Sequence, residues 1–376
     1  RAKLRCITME QEYSDRGDYT LHWSLLKRVN EVYSLYKSEL GKFDYTDMVE
    51  LFVKQGTAPS LEVLIVDEAQ DLTPLQWKQV LILKENAARV WYAGDDDQCI
   101  HRWNGVDISS FMNASDNKRV LNQSYRVPRS VFNLANHVVK RIGYRQHKDW
   151  QPREDEGFTD FHMNWFDVNI DEGSWTIMAR TNRSLNNIHN SLRDDGYLFE
   201  RYGRPSLNPA YLEGINTWNA IASGKSVSVG SLKDLYDLMP KQGAKALLKR
   251  GAKKTFEAVD PEGLFGYDEL VANHGLIAPK DTRPELVVNM SQEDITYVKA
   301  IKRRGEDLHK PRIKLSTIHR MKGGEDDNIM LLTDSSYPAV SNPDQDDEHR
   351  VFYTGITRAR HNLHIIDSQA KYRYVI

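Results

Sequence analysis

Ile65-Val66-Asp67-Glu68-Ala69-Gln70-Asp71 ends a short, mostly apolar run, Leu61 to Val66, on a set of acids. An apolar strand that closes on adjacent carboxylates holds the first of them rigidly at the carboxyl edge of a sheet, where α/β sheets bind ligands. Asp67 is thereby placed to hold the magnesium of an MgATP complex, a Walker B arrangement, and Glu68 to polarise an attacking water. Acids after a strand also serve simply to cap the next helix, so the weight rests on the whole D-E-A-Q-D string rather than on Asp67-Glu68. A phosphate-binding loop would complete such a site, yet G-x-x-x-x-G-K-[ST] occurs nowhere in the sequence. Gly224-Lys225-Ser226 imitates the end of that loop, but Asn219 stands where its first glycine is needed, and the segment follows an expected helix around Trp218 to Ala222. Lys241, Lys245, Lys249 and Lys253 recur every four residues, with Arg250 and Lys254 beside them. On a helix they form a basic stripe able to grip duplex phosphates, or equally a solvated face.

These residues need elements to carry them. Leu21, Leu25, Val29, Val32, Tyr33 and Tyr36 have helical spacing and predict an amphipathic helix. Asp44-Tyr45-Thr46-Asp47 starts another helix, and Thr73-Pro74 a third, with a hydroxyl N-cap and proline in the first turn. Leu61 to Val66 is expected as a buried strand and Arg89 to Ala93 as a second. A strand near Val120 leads into a helix carrying Val131, Leu134, Ala135, Val138 and Ile142. Thr176 to Ala179, Lys314 to Thr317, Asn328 to Leu332 and Leu363 to Ile366 are further strands. The alternation implies α/β layers with parallel sheets, while residues 206–300 lack clear strands and suit an inserted helical part. The 376 residues suggest two or three domains. With 51 Lys+Arg against 53 Asp+Glu the net charge is -2, so any nucleic-acid contact comes from local basic surface. Cys6 and Cys99 form no C-x-x-C pair, which argues against a disulfide framework or zinc knuckle. No stretch is apolar for long enough to cross a bilayer and no secretory signal opens the chain, so a cytoplasmic setting is expected, in a bacterium or a phage-infected host cell. The chain opens on Arg1, and a segment upstream of it is expected.

The D-E-A-Q-D string resembles motif II of UvrD/Rep/PcrA-like superfamily 1 DNA helicases, and four further strings follow in that family's order. Gly94-Asp95-Asp96-Asp97-Gln98-Cys99-Ile100-His101-Arg102-Trp103-Asn104-Gly105 resembles motif III, and Leu121-Asn122-Gln123-Ser124-Tyr125-Arg126 motif IV. Ser316-Thr317-Ile318-His319-Arg320-Met321-Lys322-Gly323-Gly324-Glu325 resembles motif V, and Phe352-Tyr353-Thr354-Gly355-Ile356-Thr357-Arg358-Ala359-Arg360 motif VI. The resemblance implies that Gln98 reports the γ-phosphate or the lytic water, and that Arg126 and Arg358 meet the γ-phosphate across a cleft. It implies that Glu325 accepts from the ATP ribose, and that His101, Trp103, Thr317 and His319 meet DNA. Trp103 would stack on an unpaired base, although taken alone it reads as a core tryptophan. Arg180-Thr181-Asn182 resembles a segment near DNA, with Asn182 equally suited to capping the next helix. Three positions depart from the family: His101 replaces the usual tyrosine, Asn104 a frequent arginine and Gly324 a leucine.

The expected architecture is α/β, with two RecA-like parallel-sheet domains. The first, incomplete, covers 1–116; the second covers 117–205 and 301–376 around the helical insertion 206–300. The expected function is an ATP-dependent DNA helicase with ATP and Mg2+ as cofactors, moving 3′ to 5′ on single-stranded DNA and acting at single/double-strand junctions. The phosphate-loop segment is expected to be missing, leaving the fragment inactive alone and strand faces of the first domain uncovered. The alternatives are an ATPase-dead single-stranded DNA-binding module and the motor part of a RecB/AddA-like helicase–nuclease; no nuclease segment follows motif VI.

Overall fold

The computed structural model describes residues 1–17, 20–243, 245–257, 259–260 and 262–376. They form two compact units, one of residues 1–169, 178–181 and 317–376, the other of 170–177 and 182–316.

In the first unit, Asp44 and Thr73 start helices as their residue types require. Asp44 accepts from Asp47 N at the head of Tyr45–Gln55. Thr73 caps Pro74–Glu85, and Gln76 Oε1 returns the bond to Thr73 N at 2.9 Å, so two orphan donors are satisfied reciprocally. Strands Leu61–Val66 and Ala87–Tyr92 pair in parallel, with Val66 beside Tyr92. Both loops that follow, Asp67 onward and Gly94 onward, therefore leave the same sheet edge. Both strands are less buried than their apolar composition predicts: Ile65 of the first is 69% and Trp91 of the second 66% exposed, and only one face packs, on Trp77 and Val80. Helix Trp23–Glu39 forms as its spacing predicts, yet none of its residues is buried.

The remainder of this unit is built on strands Phe158–His162, Ala359–Ile366 and Asp326–Leu332, adjacent in that order and all parallel. Helices Arg129–Val139 and Asp346–Ile356 pack Val131, Ala135, Val138, Phe352 and Ile356 onto Ile329, Leu331, Leu363 and Ile365. The strand expected near Val120 does not form. Leu121 is 82% exposed, and the segment makes only one isolated bridge, Gln123 with Gln151.

In the second unit, Phe199–Arg201 pairs in parallel with Ile313–Leu315 and antiparallel with Arg204–Pro205. Helices Pro209–Ala222, Val229–Leu238, Tyr267–Asn273 and Gln292–Arg304 enclose a core of Trp218, Leu232, Tyr236, Phe256 and Ile301. A two-residue antiparallel pair, Val227–Ser228 with Leu264–Phe265, is its small β addition. Gly224-Lys225-Ser226 is an exposed turn between the first of these helices and Val227, not a strand-to-helix loop. The helical stripe of lysines does not form either. The helix ends at Leu238, before Lys241, and only Lys253 and Lys254 lie in a short 3-10 turn, Ala252–Phe256. Lys241 and Lys253 both pair with Asp237, which removes part of the free positive charge. Among the described residues no helix is long and apolar enough to cross a membrane.

Candidate functional site

Asp67 and Glu68 lie immediately beyond the strand Leu61–Val66, and Asp67 Oδ1 accepts from Glu68 N at 2.9 Å. Glu68 has φ 50°, in the left-handed region that a glutamate rarely adopts. Such conformations persist where surrounding contacts over-determine them. Here the contact is Gln70, 1% exposed, whose Nε2 donates to Glu68 Oε2 at 2.6 Å while its Oε1 accepts from Asp95 N at 3.1 Å. Gln70 thus ties the two strand-end loops together. A Cβ on Gly94 would lie 2.2 Å from Gln70 Oε1, so only glycine admits this approach. The sequence string contains Gln70 but gives it no role; the signal for one is its place two residues after Glu68, in a loop leaving the shared edge.

Gln98 ends the 3-10 turn Asp96–Gln98 with its amide fixed on both sides. Nε2 donates to Asp95 Oδ2 at 2.7 Å, and Oε1 accepts from Arg358 Nη2 at 2.8 Å. Lys322 donates to Gln98 O at 2.8 Å, pairs with Asp71 and lies 3.5 Å from Glu68 Oε2. Its ammonium fastens the loop of Met321 to Glu325 to the strand-end acids, a role that its place in the sequence does not reveal. Arg126 Nε donates to Glu325 Oε2, so these two candidates satisfy each other here. Arg358 is 1% exposed. The groups accepting from it are Thr354 O, Gly324 O, Thr357 Oγ1 and Gln98 Oε1, none of them charged. Burial, with Arg126 adding to it, pushes the guanidinium down to about 10. A buried cation held only by neutral acceptors beside a second cation is an incomplete arrangement that an anionic phosphate oxygen would complete. The strand-end carboxylates offer the hard oxygen donors that Mg2+ prefers. The residues present therefore fit MgATP in donor type and in charge.

A second cluster lies in the same unit. The His101 ring is 6.3 Å from Trp103 and 6.0 Å from His319. Trp103 is 63% exposed, which disposes of the core alternative for it. Trp103, His319, Arg180, Pro338 and Asn342 line a cavity of about 210 Å³. Arg180 donates through Nε and Nη2 to Glu348 Oε1 at 3.0 and 2.8 Å, so its charge is already partnered. Burial, then the nearby Arg180 and His101, pushes His319 down to about 4, so it is neutral near pH 7. Thr317 is 8% exposed, and its hydroxyl caps Ile318–Met321 by accepting from Arg320 N at 3.4 Å. Asn182 belongs to the second unit. Its Oδ1 accepts from Tyr202 Oη, and helix Ser184–Asp194 has no side-chain cap, so the capping alternative for Asn182 is not seen.

Comparison with known proteins matches residues 3–119 to the UvrD/REP helicase N-terminal domain and residues 287–370 to the UvrD-like helicase C-terminal domain. The ATP-dependent DNA helicase PcrA of Bacillus subtilis is 31% identical over 146 residues, covering 34% of this chain and 20% of that protein. The DNA helicase II of Haemophilus influenzae is 24% identical over 143 residues, covering 34% of this chain and 20% of its own length. The putative ATP-dependent DNA helicase YjcD of Bacillus subtilis is 24% identical over 433 residues, covering 90% of this chain and 57% of that protein. The chain thus spans from a fifth to under three fifths of the length of these relatives. Two family domains in chain order, and five motif strings of which the acids, Gln98 and both arginines fall in one structural unit, lead to one conclusion: the chain belongs to the UvrD/Rep/PcrA-like family of superfamily 1 helicases.

Proposed function

We propose that this chain forms part of an ATP-driven motor that translocates 3′ to 5′ on single-stranded DNA and separates strands at single/double-strand junctions. The carrying observation is Gln98, held between Asp95 and the buried Arg358, whose bonded acceptors are all neutral. MgATP, when bound, supplies the phosphoanhydride whose hydrolysis drives the cycle. Asp67 would hold the magnesium, Glu68 would take the proton of the attacking water, and Arg126 and Arg358 would stabilise negative charge developing on the phosphate. Arg126, paired with Glu325 here, would turn to the phosphate, leaving Glu325 to accept from the ribose. Gln98, touching both Arg358 and the loop that leads to His101 and Trp103, relays the state of the phosphate to the DNA side. Trp103 stacks on a base, a contact indifferent to sequence. We assign residues 1–116 to the first motor domain, 117–205 and 301–376 to the second and 206–300 to an insertion, and expect the protein to work in the cytoplasm.

The sequence holds no G-x-x-x-x-G-K-[ST], which favours a second reading of the 376 residues alone as an ATPase-dead single-stranded DNA-binding module. The test uses a version with a phosphate-loop segment joined ahead of Arg1. Arg126→Ala and Arg358→Ala should each lower DNA-stimulated ATP turnover by about 10²–10³-fold, the usual cost of one electrostatic donor. Single-strand affinity measured without nucleotide should barely change. Turnover that survives both substitutions would discard the phosphate assignment, and DNA binding without any turnover would favour the binding module.

A further inference from the structure

Asp95, Asp96 and Asp97 bring three carboxylate oxygens close enough together to resemble a divalent-cation site. The space between them belongs instead to Lys148. Its ammonium lies 2.9 Å from Asp95 Oδ1 and 2.8 Å from Asp97 Oδ2, and it also pairs with Asp96. Arg145 grips Asp97 through two parallel bonds, Nε to Oδ1 at 2.7 Å and Nη2 to Oδ2 at 2.6 Å. Between the two cations, Gln146 N donates to Asp96 Oδ2 at 2.7 Å. Helix Asp346–Ile356 closes the arrangement: Arg350, 1% exposed, donates to Asp96 O at 3.1 Å and to Tyr144 O, and Asp346 accepts from Gly143 N and Tyr144 N.

We propose that Lys148 and Arg145 are positioning residues that set the Asp95–Gln98 turn so that Gln98 faces Arg358. This role rests on the proposed motor function only for what Gln98 does, not for how it is held. Asp95 is the pivot, because it accepts from Gln98 Nε2 at 2.7 Å and from Asp97 N at 3.2 Å. Its orientation depends on Lys148, since Asp96 and Asp97 alongside would otherwise repel it. Asp96 and Asp97 side chains are 3% and 0% exposed and Lys148 16%, while Asp95 keeps 29%, so a water that reached Asp95 would bring no positive charge to offset the two buried acids beside it. Lys148 keeps its proton: burial works against the charged form, but the three aspartates outweigh it and raise the group above its ordinary value. Through this chain of contacts, residues 143–148 and the helix that begins at Asp346 govern the orientation of an amide to which they do not bond.

The test is spectroscopic and uses the 376-residue chain itself, with neither ATP nor DNA. In perdeuterated protein carrying ¹⁵N only in glutamine side chains, the Gln98 NH2 pair is assigned by its disappearance in Gln98→Glu. Its bonded proton should lie downfield in the parent and in Lys148→Arg, which retains a cation among the acids. In Lys148→Met that downfield shift should collapse. Should Lys148→Met not fold, the double variant Lys148→Met/Asp97→Asn removes one acid along with the cation and relieves the repulsion. If Lys148 only balanced charge, the Gln98 signal would return in the double variant, and that return would overturn the proposal. An unchanged Gln98 signal in Lys148→Met would overturn it as well. A positive result here combined with absent ATP turnover in the phosphate-loop version would sink the motor reading and leave the positioning role of Lys148 standing.

Discussion

Glu68 is held in an unfavourable backbone conformation by its bond to Gln70, and its carboxylate remains 61% exposed beside the strand edge. Glu68→Gln keeps that shape and removes the charge proposed to accept a proton. In the version carrying a phosphate loop, MgATP binding should persist while turnover falls by about 10²–10⁴-fold; near-normal DNA-stimulated hydrolysis would refute the role. Trp103 can be tested in the chain as it stands. Because its ring is exposed, Trp103→Ala should leave the melting temperature nearly unchanged and weaken a single-stranded oligonucleotide by about 1–3 kcal/mol. Early melting with intact affinity would instead mean that the ring supports the fold. Asp67, Glu68, Gln98, Arg126, Glu325 and Arg358 are legible in the sequence because each stands inside a contiguous string. Gln70 and Lys322 stand inside the same strings and Lys148 outside them, but none is given a role there, because the contacts that define them reach across the chain, from Gln70 to Asp95 among others. Lys322 and Asp71 are 251 positions apart, and Lys148 and Asp96 are 52.

Elements were legible where local chemistry decides them. Thr73-Pro74 starts its helix as expected, and Thr73→Ala should cost about 1 kcal/mol, seen as a lower urea midpoint without a change in slope. Strand Phe158–His162 escaped notice because Phe-Thr-Asp-Phe-His has no apolar run. It lies at a sheet edge with Phe158 and Phe161 exposed, so only pairing with Ala359–Ile366 defines it. Conversely, the apolar residues near Val120 find no strand beside them. The short helix Ile318–Met321 carries a consequence that only the structure supplies. Folded His319 titrates at about 4, below the ordinary imidazole value near 6.5, so protonation favours the unfolded chain. Its stabilising contribution is complete above about pH 6.5 and is lost as the pH falls toward 4. His319→Gln should flatten the dependence of the urea midpoint on pH between 7 and 4.5. An unchanged dependence would mean that the imidazole is not desolvated. The same neutrality implies that His319 adds no counterion release, so the salt slope of oligonucleotide binding should be the same in His319→Gln.

At the scale of the whole chain, hydrolysis requires more than the acids and arginines assembled here. A phosphate loop supplies backbone N–H donors, a lysine for the β- and γ-phosphates and a hydroxyl for magnesium. The 376 residues contain no such segment, and the exposed turn at Gly224-Lys225-Ser226 follows a helix and cannot stand in for one. Asp67, Glu68 and Asp71 without that cradle oppose a triphosphate electrostatically. Lys322, the cation among them, is already engaged by Asp71 and Gln98 O. Among the described residues the sheet that presents the acids is two strands wide, with Ile65 and Trp91 uncovered. Fully burying a side chain such as Ile65 contributes about 1.5–3 kcal/mol, so any segment that covers this face stabilises the acids' platform as well. Two outcomes are therefore expected together. The 376-residue chain should show no DNA-stimulated ATP hydrolysis, while a version bearing a phosphate-loop segment ahead of Arg1 should gain it and resist urea better. Hydrogen exchange should slow at Leu61–Val66 and Ala87–Tyr92 in the longer version, since those backbones gain cover. Robust hydrolysis by the 376 residues alone would require a phosphate site other than the one described, and the roles given to Asp67 and Arg358 would then have to be reassigned.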